Sequence, residues 1–166
     1  MLKTIFTALF ISLLSSCSAQ SVNSTAVEEL DLSRYLGKWH EVARFDTSFE
    51  RGLVKVTAHY SLNPDGSINV VNRGYNIRTE KWGESKATAK ATDDPGRFRV
   101  SFFPLVSSDY NILSVSEDYQ WALVGSSSPN FLWILSRTEE LHPDTLDHII
   151  SLAQSRGYDT SKLLIL

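Results

Sequence analysis

Two short motifs, about a hundred residues apart, place the strongest constraint on how this chain can fold. Gly37 and Trp39 open an alternating segment near the N-terminus, and Arg137 follows the last such segment. A guanidinium over an indole face gains roughly 0.5–2 kcal/mol, and Gly37 permits the close backbone approach that this contact needs. The two ends of a strand-rich chain can meet in this way only if the sheet curls round. The pair therefore predicts a closed barrel.

Alternating apolar and polar residues, interrupted by turn signals at 63–66 and 93–96, predict eight strands. Pro presets φ and Gly accepts positive φ, so these two segments favour tight turns. We place the strands near 37–47, 53–62, 67–77, 83–92, 97–103, 109–115, 119–126 and 130–136. Sequential hairpins of this kind predict an all-β, eight-stranded antiparallel up-and-down barrel. Such a barrel has room for one small ligand.

The periodicity changes after Arg137. Leu146, Ile149, Ile150 and Ala153 recur at the spacing of one helix face. Pro143 suits the first helical position and Gly157 the residue just past the end. The sequence therefore predicts a C-terminal α-helix packed on the outside of the barrel, followed by a short apolar strand at 163–166.

Several segments resemble the lipocalin family, from about Leu32 to the C-terminus. In that family a Gly-x-Trp opens the first strand, and an Arg after the last strand packs on the Trp at the closed end of the barrel. The segments at 49–53, 55–62 and 72–76 resemble the bacterial outer-membrane lipocalins in particular, whereas His40 stands where lipocalins usually carry an aromatic residue. The resemblance assigns five residues to the closed end, as structural positions: Gly37, Trp39, Asp118, Tyr119 and Arg137.

The N-terminus carries the pattern of an export signal, with Lys3 before an apolar run of eleven residues at 4–14. Leu14 to Cys17 resembles the bacterial lipoprotein box, in which the peptide before the Cys is removed and the Cys is acylated. We therefore expect a signal peptide at 1–16, an acylated Cys17 and a barrel domain at 31–166. A conventional signal with an incidental Cys is the alternative. Ser18 after the Cys resembles the pattern of outer-membrane sorting.

The polar segment at 17–30 is expected to be a flexible, solvated tether, about 20 Å long for a coil of that composition. It would let the barrel stand clear of the bilayer. Without Lys3, 15 basic and 19 acidic side chains remain, a net charge of 15 − 19 = −4. That balance gives no indication of nucleic-acid binding. Cys17 is the single cysteine, so no disulfide within the chain is possible.

Residues two apart on a strand share a face, which identifies candidates for a ligand cavity. Core packing is the alternative for each of them, since inward aromatic residues often fill a small barrel. Glu41 is expected on the same face as Trp39, Ala43 and Phe45, where it could pair with Arg137 or another base. The candidate cavity residues are Val56, Ala58, Tyr60, Asn72, Phe102, Tyr110 and Trp133.

The sequence shows no catalytic constellation. The segment at 125–129 lacks the second Gly of a Gly-x-Ser-x-Gly motif, and the four histidines are scattered. We therefore expect no metal, no cofactor and no enzymatic activity. The resemblance implies a membrane-anchored carrier of fatty acids or lysophospholipids at the bacterial envelope. A structural or stress-related lipoprotein with a filled barrel, or an enzyme acting on bound lipid, are the alternatives. The sequence leaves open whether the protein is a monomer or a homodimer.

Overall fold

A computed structural model describes residues 21–103 and 106–166 of the chain. The signal peptide at 1–16 and the acylated Cys17 expected from the sequence lie outside these residues. The strands are β1 (Gly37–Phe45), β2 (Leu53–Leu62), β3 (Ile68–Asn76), β4 (Lys81–Ala91), β5 (Arg97–Phe103), β6 (Val106–Val115), β7 (Trp121–Gly125), β8 (Leu132–Ser136) and β9 (Leu163–Ile165). The α-helices are α1 (Leu32–Tyr35) and α2 (Pro143–Ser155), and a 3₁₀ turn spans Thr160–Lys162.

The strands form a closed barrel. Each strand from β2 to β7 pairs antiparallel with the next, and β1 pairs with both β2 and β8. Trp39 lies opposite Ala58 of β2, and Glu41 lies opposite Leu135 of β8. The eight-stranded up-and-down barrel predicted from the sequence is confirmed. The predicted C-terminal strand is also present, because β9 pairs with the last three residues of β1.

Up-and-down connections place alternate turns at opposite ends of the barrel. We call the closed end the one that carries α1, the start of β1 and the turns at 63–67, 92–96 and 116–120. The open end carries the end of β1 and the turns at 46–52, 77–80 and 126–131. Hydrophobic residues form two clusters, one inside the barrel and one between its outer face and α2.

Helix α2 begins and ends at the positions that the sequence predicts. Pro143 is its first residue, and the His142 side chain accepts a hydrogen bond from the Asp144 N–H at 3.4 Å. Gly157 follows the helix with φ +89°, in the left-handed region where glycine is favoured. Ile149 and Ala153 are buried against the outside of the barrel. No helix among residues 21–103 and 106–166 is long and apolar enough to cross a bilayer.

Strand β1 contains a bulge that reverses its faces. The pairing of β1 with β8 skips one residue between Glu41 and Ala43, so Val42 is an extra residue. Beyond this point Ala43 and Phe45 pack outside the barrel with α2, whereas Arg44 faces inward. The expectation that Ala43 and Phe45 share the face of Trp39 is therefore wrong. An extra residue shifts the two-residue periodicity by one, which alternation in sequence cannot show.

The N-terminal segment before α1 packs against the barrel. The Asn23 N–H donates to the Arg156 carbonyl at 2.8 Å, and the Val27 N–H donates to the Ile112 carbonyl at 2.9 Å. The Asn111 side chain donates to the Ser24 carbonyl at 3.0 Å. Residues 21–30 are therefore not the free, solvated tether that the polar composition predicts. Of the expected tether, only residues 17–20 precede this bound segment.

Candidate functional site

Trp39 and Arg137 close the barrel at its closed end. The guanidinium carbon of Arg137 lies 3.7 Å from the ring centroid of Trp39, which is fully buried. Gly37 has φ +94°, and a Cβ at this position would meet the Arg137 side chain at 3.5 Å. The Trp39 indole N–H donates to the Tyr35 carbonyl at 2.8 Å. The contact between Trp39 and Arg137 that the sequence predicts is present.

Arg137 also ties several chain segments together through their carbonyl groups. It donates to the carbonyls of Arg34 at 2.6 Å, Leu36 at 3.0 Å and Lys38 at 2.8 Å. A further bond, from Nε to the Tyr119 carbonyl at 3.3 Å, reaches the turn before β7. A planar guanidinium with five N–H donors can hold such a set, which an ammonium group cannot. Arg137 therefore acts as a structural clamp on α1, β1 and the 116–120 turn.

The turn that contains Asp118 and Tyr119 holds α1 from the other side. Tyr119 has φ +58°, and its hydroxyl accepts a hydrogen bond from the Asp31 N–H at 2.8 Å. The Arg34 guanidinium carbon lies 4.4 Å from the Tyr119 ring centroid. A hydrogen bond with Ser116 lowers the pKa of Asp118, which keeps this exposed carboxylate charged. The turn is thus part of the closed-end structure.

Three tyrosines fill the interior next to the closed end. The hydroxyl of Tyr110 lies 2.7 Å from that of Tyr35 and 2.9 Å from that of Tyr60. Burial raises the pKa of all three phenols above the ordinary value, so they stay neutral. Phe98 packs edge-on against Tyr110, with 6.4 Å between the ring centroids. The interior at this end is therefore packed with aromatic rings whose polar ends satisfy one another.

A buried ionic cluster lies on the inner wall toward the open end. Arg44, with a side chain only 2% exposed, donates to a Glu41 carboxylate oxygen at 3.1 Å. Its Nη2 donates to the main-chain carbonyls of Glu50 at 2.9 Å and Leu53 at 2.8 Å. Its Nε lies 3.8 Å from Glu50 Oε2 and has no hydrogen-bond partner. The cluster fastens the 46–52 turn to the barrel wall.

Glu41 pairs with Arg44 rather than with Arg137, one of the partners that the sequence suggested. Burial and, to a smaller extent, the neighbouring Glu50 raise the pKa of Glu41 to about 8, against the opposing effect of Arg44. At neutral pH Glu41 therefore holds its proton for most of the time. With Glu41 protonated, Arg44 and Glu50 balance each other, and the buried cluster is neutral.

An aromatic ladder runs from this cluster to the edge of the open end. The Trp133 indole N–H lies 3.2 Å from Glu50 Oε2, and the ring stacks on Phe131 at a centroid distance of 6.0 Å. Phe131 in turn lies 6.3 Å from Phe49, an exposed residue of the 46–52 turn. Trp133 is thus half-buried on the inner wall, between the ionic cluster and the mouth of the barrel.

The interior opens to solvent along β4. Ser85, Ala87 and Ala89 alternate on its inner face, and the two alanines are buried while Ser85 is exposed. Asn72 of β3, directly opposite Ser85, is half-buried. Among the described residues the pairing of β4 with β5 begins at Thr88, so the wall is open beside Ser85 and solvent reaches the inner face there. We call the part from Ser85 and Asn72 to the open end the open half.

The seven candidate cavity residues lie at different levels of the barrel. Tyr60 and Tyr110 belong to the filled region near the closed end, and Ala58 packs with them. Asn72 and Trp133 lie in the open half, whereas Val56 is buried on the inner face of β2. Phe102 is 45% exposed at the open end of β5, so it lies at the mouth rather than inside.

Sequence reasoning missed Arg44, Glu50 and Ser85. With Ala43 and Phe45 expected on the inner face, alternation would put Arg44 on the outer face, because alternation cannot show the bulge at Val42. An arginine between Ala43 and Phe45 was the available signal, because a charged residue inside an apolar run often marks a buried pair. Glu50 lies in a turn, and only the folded structure shows that its carboxylate reaches the indole N–H of Trp133.

The arrangement offers a place for a molecule to bind. Within residues 21–103 and 106–166, no group of three or more His, Cys, Asp or Glu side chains could hold a metal ion. The open half combines apolar walls with a few polar groups, which is the usual composition of a small-molecule site.

Comparison with known proteins agrees with this architecture. Residues 30–166 match the family model described as "Lipocalin-like domain". The chain belongs to the lipocalin family. This lipocalin is 41% identical over 160 residues to the outer membrane lipoprotein Blc of Citrobacter freundii, which covers 95% of the chain and 90% of the relative. It is 39% identical over 168 residues to Blc of Vibrio cholerae, with 98% and 97% covered.

More distant relatives share the fold of this lipocalin. Temperature-induced lipocalin-1 of Arabidopsis thaliana is 37% identical over 146 residues, covering 82% of the chain and 78% of the relative. The solved structure of insecticyanin from the tobacco hornworm Manduca sexta superposes with a TM-score of 0.69 at 20% identity. That superposition covers 85% of this chain and 82% of insecticyanin. At that identity, the likeness supports the fold alone.

Proposed function

We propose that this lipocalin binds a hydrophobic small molecule in its open half and carries or stores it at the bacterial outer membrane. The observation that carries the proposal is the exposed inner face at Ser85, next to the buried apolar wall of Ala87 and Ala89. A lipid chain in this space would gain about 25 cal/mol for each Å² of apolar surface removed from water. The filled closed end makes the open end the route of entry.

The membrane attachment rests on the N-terminus. Cys17 follows the lipoprotein-box pattern, and relatives covered over at least 90% of their length are named outer membrane lipoproteins. Acylation of Cys17 with more than one chain would hold the protein to the membrane stably, since each buried CH₂ contributes about 0.8 kcal/mol. We therefore propose an outer-membrane protein anchored by lipid at Cys17.

We propose that the ligand is a fatty acid or a lysophospholipid, and the buried charges favour the second. Arg44 is the cation of the described inner wall. Glu41 and two carbonyl groups accept from its terminal nitrogens, and Glu50 Oε2 lies 3.8 Å from its Nε, so its charge is already balanced. The carboxylate of a fatty acid placed deep inside would therefore lack a counter-ion there, which is costly. A lysophospholipid can bury its acyl chain and leave its phosphate in water at the mouth.

Native mass spectrometry of the delipidated protein tests the proposal. After exposure to fatty acids and lysophospholipids, we expect a one-to-one adduct, with lysophospholipid retained in preference. Absence of any adduct would contradict lipid binding and favour the alternative of a filled structural barrel. A preferred fatty-acid adduct would contradict only the choice of ligand.

A matched pair of variants locates the binding site. Ser85→Trp places a large side chain in the open half, and we expect it to abolish the adduct. Glu84→Trp adds the same side chain at the neighbouring position, which faces outward and is exposed. Retention of lipid by Glu84→Trp together with its loss from Ser85→Trp would support the site. Equal behaviour of the two variants would argue against it.

A further inference from the structure

Five large apolar side chains are exposed around the mouth of the barrel. They come from five different segments, the 46–52 turn, the 77–80 turn, the start of β4, the end of β5 and the start of β6, and they are between 45% and 64% exposed. We call them the apolar rim: Phe49, Ile77, Trp82, Phe102 and Val106. Exposed apolar residues gathered at one place mark a surface for binding a partner or a membrane.

The closed end has no comparable concentration among the described residues. Of the large apolar side chains exposed in residues 21–103 and 106–166, one, Leu62, lies there, at 56% exposure. The remaining three are the consecutive residues 164–166 beside β1, on the flank of the barrel. Among the described residues, the exposed large apolar side chains are therefore concentrated at the open end.

The outer face of the rim has the composition of a membrane interface. The Trp82 ring lies 5.6 Å from that of Tyr75, and the Arg73 guanidinium carbon lies 4.8 Å from the Trp82 centroid. Trp and Tyr, with an apolar body and a polar group, are enriched where membrane meets water, and Arg can keep its charged group in the water phase. The exposed charges of the open-end turns and of the first residue of β4 nearly cancel, three basic against two acidic: Arg51, Arg78, Lys81, Asp46 and Glu80.

The N-terminal segment brings the proposed anchor to the same end. The Ser21 carbonyl lies beside Gly157, just after α2, at 3.4 Å from where a Cβ of Gly157 would stand. The next residue, Tyr158, contacts the ring of Phe45 and lies against Gly125, and these two residues end β1 and β7 at the open end. Ser21 therefore starts beside the open end of the barrel.

The chain between Cys17 and Ser21 is too short to change this placement. Four residues of even a fully extended chain span at most about 14 Å. The acyl chains on Cys17 would therefore enter the membrane near the apolar rim. A tether of the length expected from sequence would have left the orientation of the barrel free, but the binding of residues 21–30 to the barrel removes that freedom.

We propose that the open end of the barrel docks on the lipid bilayer, with the apolar rim inserted at the interface and the acylated Cys17 beside it. This inference rests on the proposed anchor and ligand, and adds where the ligand enters and leaves. With the mouth on the bilayer, a lipid passes between membrane and barrel without crossing water. Because the charges at the open end nearly cancel, docking depends mainly on apolar contact and changes little with salt.

Tryptophan quenching in vesicles tests the orientation. The acylated protein is reconstituted into vesicles of phosphatidylethanolamine and phosphatidylglycerol that contain phosphatidylcholine brominated near the top of its acyl chains. The difference in emission between the wild type and Trp82→Phe isolates Trp82. We expect roughly half of that emission to be quenched, because an interfacial side chain lies at the boundary between headgroups and acyl chains.

A relocated tryptophan is the matched control. In the Trp82→Phe background, Leu62→Trp places the probe at the closed end, at a position of similar exposure. Its emission should be quenched by aqueous iodide and not by the brominated lipid. Quenching of this probe by lipid, or the absence of quenching at Trp82, would overturn the proposed orientation. Shielding of Trp82 from both quenchers would overturn it in favour of a second copy of the chain on the rim.

The same samples separate this inference from the proposed function. Native mass spectrometry after detergent extraction reports whether lipid is bound in the barrel. Bound lipid without quenching of Trp82 would refute the orientation and leave the carrier function standing. Quenching of Trp82 without bound lipid would support docking and refute the carrier function.

Discussion

The two ends of this barrel differ in how their side chains are satisfied. At the closed end, Trp39 is fully buried under Arg137, which donates to carbonyl groups of several segments. At the open end, Ser85 faces inward and is exposed, and large apolar residues of the rim meet solvent. The contacts that stabilise the barrel are therefore concentrated at the closed end. The other end keeps space and apolar surface for a ligand and a membrane.

Trp39→Ala should produce the largest effect, because it removes a fully buried aromatic side chain. Truncation of a buried Trp costs about 3–5 kcal/mol. We expect a loss of that size in the free energy of unfolding, measured by urea denaturation. A loss below about 1 kcal/mol would contradict the role of the closed end as the main source of stability.

Arg137→Gln should have the next largest effect. The variant loses the contact with Trp39 and most of the hydrogen bonds to α1 and β1, which together correspond to about 2–4 kcal/mol. Urea denaturation should show this loss. Arg137→Lys keeps the charge but not the planar set of donors, so it should fall between the wild type and Arg137→Gln. Full stability of Arg137→Lys would show that charge alone is sufficient.

Glu41→Gln should change the pH dependence of stability. Burial raises the pKa of Glu41 from an ordinary 4.5 to about 8, so the folded state holds a proton that the unfolded chain releases. Stability therefore falls as the pH rises between these two values, by an amount on the order of a few kcal/mol. Glu41→Gln, which mimics the protonated acid, should lose this part of the dependence.

Urea denaturation of both proteins at about pH 5 and pH 8 measures the difference. The wild type should lose more stability than Glu41→Gln between the two values. An identical loss of stability in both proteins would show that Glu41 is already ionised at about pH 5 in the folded state. That result would contradict a pKa raised by burial.

Phe49→Ser should have the smallest effect on stability. Phe49 is 61% exposed at the open end, and its nearest ring, that of Phe131, lies 6.3 Å away. Exposed positions of this kind usually change the free energy of unfolding by less than about 0.5 kcal/mol. Thermal denaturation should show a melting temperature close to that of the wild type. A large decrease would mean that the rim supports the fold and is not reserved for a partner.

The sequence predicts the closed end far better than the open half. Gly37, Trp39 and Arg137 can be recognised because their contact depends on residue type and on the order of the strands. Whether Arg44 faces inward or outward depends instead on one extra residue at Val42. This residue shifts the alternation but cannot be recognised from the composition. The ionic cluster on the inner wall was therefore not predictable.

The bound N-terminal segment was missed for a related reason. Residues 21–30 carry few large apolar side chains, and composition alone favours a solvated coil. Their attachment comes mainly from backbone groups, such as the Val27 N–H on the Ile112 carbonyl and the Thr25 carbonyl on the Arg156 side chain. Such bonds depend on the position of the chain and not on side-chain type.

The most direct test of the division between the two ends is the dissociation constant of lysophosphatidylethanolamine for Arg137→Lys and Ser85→Trp. Because the closed end is remote from the open half, Arg137→Lys should bind within about twofold of the wild type while it is folded. Ser85→Trp should bind roughly tenfold more weakly or worse, since its side chain takes the space of the ligand. Loss of affinity in Arg137→Lys with normal binding by Ser85→Trp would contradict the placement of the ligand in the open half.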